Sequence, residues 1–120
     1  MRHFATVVIG GGAAGIMAAG VAASRRGNVL LCERMEKPQR KVRITGKGRC
    51  NLTNLCSEEE FLAKVRCGAD FFASALHRFN SEATMRFFEH IGVPLTVERG
   101  RRVFPSSGKA WDIADAHVGW

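Results

Sequence analysis

Hydrophobic and polar positions change their period along this chain, and each change marks an element. Thr6 to Ile9 is a short apolar run rich in β-branched residues, the composition of a buried strand. Ile16 to Ala23 is alanine-rich and suits a helix, and Asn28 to Cys32 is a second apolar strand. Between Arg34 and Leu55 the periodicity lapses, and Pro38 argues against a helix there. Helical spacing returns after Ser57, which with Glu60 reads as a capping box and sets Phe61, Leu62 and Val65 on one face. Gly68 breaks that run, and Phe72, Leu76 and Phe79 carry a further helix from Ala69. A third helix, Ser81 to His90, buries Met85, Phe88 and Ile91 and stops at Gly92. His77 and His90 read as surface or capping positions on these helices. Val93 to Glu98 and Val103 to Pro105, joined through Gly100, predict a β-hairpin. Ser106 to Lys109 is either an anion-holding turn or the cap of a last helix beginning near Trp111.

The most informative punctuation lies between the first strand and the first helix. Gly10, Gly12 and Gly15, with Ala13 and Ala14 between the last two, make the G-x-G-x-x-G spacing. Gly10 permits a tight turn, Gly12 lets a pyrophosphate approach the backbone, and Gly15 lets the helix sit close on the sheet. Free N–H groups at the helix start, with the positive end of its dipole, then hold phosphates. Glu33 lies 18 residues beyond Gly15, at the tip of the second strand, where a carboxylate can accept hydrogen bonds from a ribose diol. The order of parts predicts an α/β fold: the N-terminal βαβ unit of a Rossmann-like dinucleotide-binding domain, then helices and a β-hairpin. A secretory or membrane segment from Phe4 to Ala23, after Arg2 and His3, is the competing reading. Four glycines in the six residues Gly10 to Gly15 oppose it, and it leaves Glu33 and its strand unexplained.

At 120 residues the chain fits one modest domain or a piece of a larger one. Its net charge of +7 matters once located. Arg34, Lys37, Arg40, Lys41, Arg43, Lys47 and Arg49 face only Glu36 in their window, a local +6. A basic run is most often a solvated face or a nucleic-acid patch. Here a diphosphate on the adjoining glycine turn is a sufficient partner. No Phe, Tyr or Trp interleaves the run to stack on single-stranded bases, so no nucleic-acid partner is expected. Cys32, Cys50, Cys56 and Cys67 match no zinc spacing and read as reduced thiols of a cytosolic protein, with no membrane partner. Within the basic window, Gly46 and Gly48 alternate with Lys47 and Arg49 after Thr45, so backbone and cations can both approach a phosphate or a flat ring. A flexible polar loop with Asx-type turns accounts equally for that stretch.

Three segments carry a family resemblance. Val7 to Gly15, Arg43-Ile-Thr-Gly-Lys-Gly-Arg-Cys-Asn-Leu-Thr-Asn54 and Arg102-Val-Phe-Pro-Ser-Ser-Gly-Lys109 resemble the flavoprotein family of the HI0933-like and YhiN-type (BaiN-like) proteins, described as NAD(P)/FAD-dependent oxidoreductases. The resemblance implies FAD in an extended form, with NAD(P)H as an electron donor. It implies that Gly10, Gly12, Ala13, Ala14 and Gly15 hold the pyrophosphate, that Glu33 holds the adenosine ribose, and that Arg34 and Lys41 lie on the adenosine side. Thr45, Gly46, Gly48, Arg49, Cys50 and Asn51 would run alongside the pyrophosphate toward the flavin. The motifs name no catalytic acid or base. Cys50 is the tempting redox candidate, but no neighbour in sequence would lower its pKa, and packing is the plainer reading. Family members run to several hundred residues, so an N-terminal fragment with an open core, weak flavin retention and no turnover is expected. An NAD(P)-binding Rossmann module, since Glu33 suits either ribose, and a non-catalytic basic module for RNA or another polyanion are the alternatives.

Overall fold

The computed structural model describes residues 2–120. Strand β1 (Thr6–Ile9) and strand β2 (Val29–Cys32) pair in parallel, from Thr6 opposite Val29 to Ile9 opposite Cys32. Parallel neighbours need a crossover, which helix α1 (Ala13–Ser24) supplies. The predicted βαβ unit is therefore present. The apolar stretch from Phe4 to Ala23 is divided into strand, glycine turn and helix, and no described helix is long and apolar enough to cross a membrane.

The region around Pro38 departs from expectation. Helix α2 (Arg40–Gly48) begins two residues after that proline. Pro38 precedes the first turn, where its missing N–H opposes nothing, and Gln39 absorbs the change of direction at φ 57°. The helix is regular only through Ile44. Thr45 then extends, and Gly46 and Lys47 both adopt left-handed angles at φ 56°. The chain doubles back there, and the Cys50 N–H donates to the Thr45 carbonyl at 3.0 Å.

The returning segment makes a strand that the sequence did not announce. Strand β3 (Thr53–Asn54) joins the predicted hairpin of β4 (Leu95–Glu98) and β5 (Arg102–Pro105) in an antiparallel sheet ordered β3-β5-β4. Helix α3 (Glu58–Leu62) opens on the expected capping box: the Glu60 N–H donates to Ser57 Oγ at 3.1 Å, and the Ser57 N–H to Glu60 Oε2 at 2.9 Å. Helices α4 (Ala69–Arg78) and α5 (Ser81–His90) follow as predicted, and α6 (Ala110–Gly119) closes the chain. His77 and His90 are exposed, as their positions suggested.

The core gathers Cys50, Phe88, Val93, Ala110 and Ile113, beneath the hairpin and between α5 and α6. One titratable group lies in it that the sequence reading passed over. His117 is 3% exposed, its Nε2 has no partner, and its ring lies 5.7 Å from Phe87 and 5.4 Å from Phe88. Burial pushes its imidazole pKa below the ordinary 6.5. The unfolded chain therefore binds a proton more readily, and this contribution to stability is complete above the ordinary value and lost as pH falls below it. Unfolding free energy should decline by at most about 1.4 kcal/mol per pH unit from this group, and denaturant titrations should show that slope disappear in His117→Phe. Ile113→Ala, which empties a position 1% exposed, should cost about 2–5 kcal/mol in the same assay.

Candidate functional site

The turn leaving β1 has little freedom. Gly10 sits at φ 103°, a conformation L side chains rarely adopt, while its N–H donates to the Cys32 carbonyl at 2.7 Å and prolongs the parallel ladder. A Cβ on Gly15 would collide with the Gly10 carbonyl oxygen, so only glycine lets α1 seat this close. Gly12 caps α1 with no side-chain bond, and no acid occupies the first turn. A Cβ on Gly12 would meet nothing within 4 Å. The close approach there is thus reserved for whatever enters the cleft, and the first-turn N–H groups have no intrahelical acceptor.

Glu33 faces this helix start from the end of β2. Its Oε1 accepts from the Met35 N–H at 2.7 Å and its Oε2 from the Gly11 N–H at 2.6 Å. These two backbone donors, Met35 first, hold its carboxyl below the usual carboxylate range. Each oxygen keeps lone-pair capacity for a further donor. Gly11, outside the fingerprint, is the tightest neighbour: a Cβ there would meet Pro38 Cβ at 3.0 Å and Glu33 Oε2 at 3.1 Å. Around these groups opens a cleft of about 710 Å³, whose opposite wall carries Lys37, Gln39, Arg40, Lys41 and Thr45. Gln39 is 2% exposed, lines that cleft, and has no partner for either side-chain amide atom.

Of the residues singled out by sequence, Gly10, Gly12, Ala13, Ala14, Gly15, Glu33, Lys41 and Thr45 converge on the cleft. Arg34, Gly46, Gly48, Arg49, Cys50 and Asn51 do not line it. The reversal after Ile44 explains the last five, because it folds beneath the hairpin. A Cβ on Gly46 would meet the Asn51 nitrogen at 2.8 Å, and Arg49 pairs with Glu98 while lying 4.4 Å from the Phe104 ring centroid. Cys50 belongs to the core, where burial pushes its thiol pKa up, the opposite of what a redox nucleophile needs. Sequence reasoning missed Gly11, Met35 and Gln39, and it had Lys37 and Arg40 only as members of the basic window facing a diphosphate, not as individual site residues. The unbroken glycine triplet and the basic window signalled Gly11 and the cations; nothing in the sequence marked Gln39.

A family model for the HI0933-like protein Rossmann domain matches residues 4–119. The 3-dehydro-bile acid delta(4,6)-reductase of Clostridium scindens is 38% identical over 112 residues, covering 90% of this chain and 26% of that protein. The ribosomal RNA dihydrouridine synthase of Escherichia coli is 40% identical over 79 residues, 66% of this chain and 19% of its own length. The chain thus spans about a quarter or less of the curated relatives it matches.

The roles of the second and third fingerprint glycines are separable. Gly12→Ala, at φ −78° with open space around it, should leave unfolding within about 0.5 kcal/mol of wild type while weakening dinucleotide binding about tenfold. Gly15→Ala, which drives a methyl into backbone, should lower the thermal midpoint and abolish binding together. Paired thermal melts and ligand titrations check both.

Proposed function

This chain belongs to the HI0933-like Rossmann family, and from that premise we propose that it forms the FAD-holding part of a flavin-dependent reductase. One observation carries the reading. An uncapped helix start, suited to a pyrophosphate, shares a single cleft with an ionised carboxylate suited to a ribose diol and with Lys37, Arg40 and Lys41. The buried amide of Gln39 fits the same reading, because a nucleotide could pair both of its idle atoms. Bound flavin would supply reversible hydride and electron transfer. The chain's own part is to bind and orient. Glu33 holds the sugar end, the first turn of α1 holds the phosphates, and the three cations offset their charge.

The relatives support a reductive reaction. One is named a reductase of a dehydro-bile acid, and the other a synthase of dihydrouridine in ribosomal RNA. Their substrates differ widely, so reaction type carries over better than substrate does.

Titration of the purified chain with FAD, followed by quenching of flavin fluorescence with NAD as competitor, tests the proposal. Saturable quenching that NAD does not displace is expected, weakened about tenfold by Glu33→Ala. Gln39→Leu should weaken affinity about 5–10-fold yet leave the thermal midpoint unchanged or higher, because an unpaired buried amide costs about 1–3 kcal/mol. Displacement of FAD by equimolar NAD would overturn the assignment of cofactor. No saturable quenching, in this chain and in a longer chain containing it, would overturn the site.

A further inference from the structure

The basic window carries no aromatic residue in sequence, and the fold supplies one from the last helix. Trp111, in the first turn of α6, lies with its ring centroid 4.5 Å from the Arg43 guanidinium and 5.0 Å from the Lys37 ammonium. The indole nonetheless stays 46% exposed. With Met35, Lys37, Arg40 and Ile44 it lines an open groove of about 400 Å³, in which Glu36 is the single acid. Ile44 is 71% exposed on the same surface.

The cations of this groove differ in freedom. Arg43 is buried, its Nε donates to the Pro38 carbonyl at 3.2 Å, and its guanidinium pairs with Asp115 at 2.6 Å. It is a fixed plate against the ring. Lys37 and Arg40 are exposed and have no carboxylate partner among the described residues. Lys37 is held only by the ring itself, so its ammonium can leave for a stronger anion and free the indole. Both residues also line the nucleotide cleft, so the groove opens directly onto it.

An exposed Trp, Met and Ile rimmed by uncompensated cations is a surface built for a partner rather than for water. The partner must offer negative charge and a flat apolar face together. An acidic peptide supplies the charge and leaves the indole without a role. Duplex nucleic acid supplies charge, but its bases are already stacked. We propose that this groove binds a single-stranded polynucleotide, with one base stacked on Trp111 and neighbouring phosphates on Lys37 and Arg40. Base stacking on an aromatic plate flanked by cations is the chemistry by which single strands are held. The proposal does not rest on the flavin reading, because the binding is measured with no FAD present.

Fluorescence anisotropy of a labelled oligouridylate of about 12 nucleotides, with an oligodeoxythymidylate and a duplex of equal length, provides the test. Both single strands should bind, with the duplex at least about tenfold weaker. Trp111→Ala should weaken binding about tenfold, and Trp111→Phe should retain most of it. Lys37→Ala and Arg40→Ala should each lower affinity and flatten the dependence of log affinity on log salt by about one, measured from about 50 to about 200 mM. Lys37 is a surface side chain without hydrogen bonds, so its variant reads out even if Trp111→Ala perturbs α6. A preference for RNA or for DNA would identify the natural strand within the proposed class. Unchanged affinity in both Trp111→Ala and Lys37→Ala would overturn the proposal, as would equal binding of duplex. Complete displacement of the oligonucleotide by FAD would also overturn it, assigning the groove to the end of the cofactor cleft.

Discussion

Gly15 rests against the carbonyl oxygen of Gly10 at a separation no side chain would survive, and the nucleotide side of the molecule depends on that contact. It sets the start of α1 directly over the end of β1. Backbone bonds then spread the constraint. Gly10 reaches the Cys32 carbonyl, Gly11 reaches the Glu33 carboxylate at 2.6 Å, and the Gln39 N–H reaches the Gly11 carbonyl at 2.7 Å. The end of β2 and the residue before α2 are both tied to one turn of three glycines. The carboxylate and the cations face a shared space because the turn leaves them no other arrangement.

A second constraint joins this unit to the rest of the chain. Helices α2 and α6 meet along a seam where Arg43 is held between Trp111, Asp115 and the Pro38 carbonyl. A guanidinium suits such a place, since its planar fork can stack and hydrogen-bond at once. Breaking one side of it would leave a buried charge with fewer partners, so the seam fixes register more than it adds net stability.

What the sequence disclosed follows the range of the interactions involved. The Ser57–Glu60 capping box and the limits of α5 rest on neighbours a few residues apart. The βαβ unit, though its strands pair across 23 residues, announces itself through the glycine spacing and apolar runs of each part, so all three were legible. Helix α2 was obscured because Pro38 is forbidding in a helix interior but harmless before a first turn. The glycines and cations from Thr45 to Asn51 looked like a ligand loop. Left-handed backbone at Gly46 and Lys47 is instead required to fold the chain under the hairpin. The partners of Trp111 and the burial of His117 come from contacts across much of the chain, which no local pattern encodes. Gln39 was invisible for another reason: an amide without a partner leaves no mark on its neighbours.

The four thiols sit at unequal depth: Cys32 and Cys67 exposed, Cys56 half-covered, Cys50 sealed in the core beside Phe88 and Ile113. Alkylating reagents must reach the sulfur, and Cys50 is buried while the reversal beneath the hairpin stays closed. Its labelling rate is therefore set by how often that region opens, while Cys32 and Cys67 are reached by reagent without any opening. The chain carries its own clock for internal breathing, with the surface thiols as its reference.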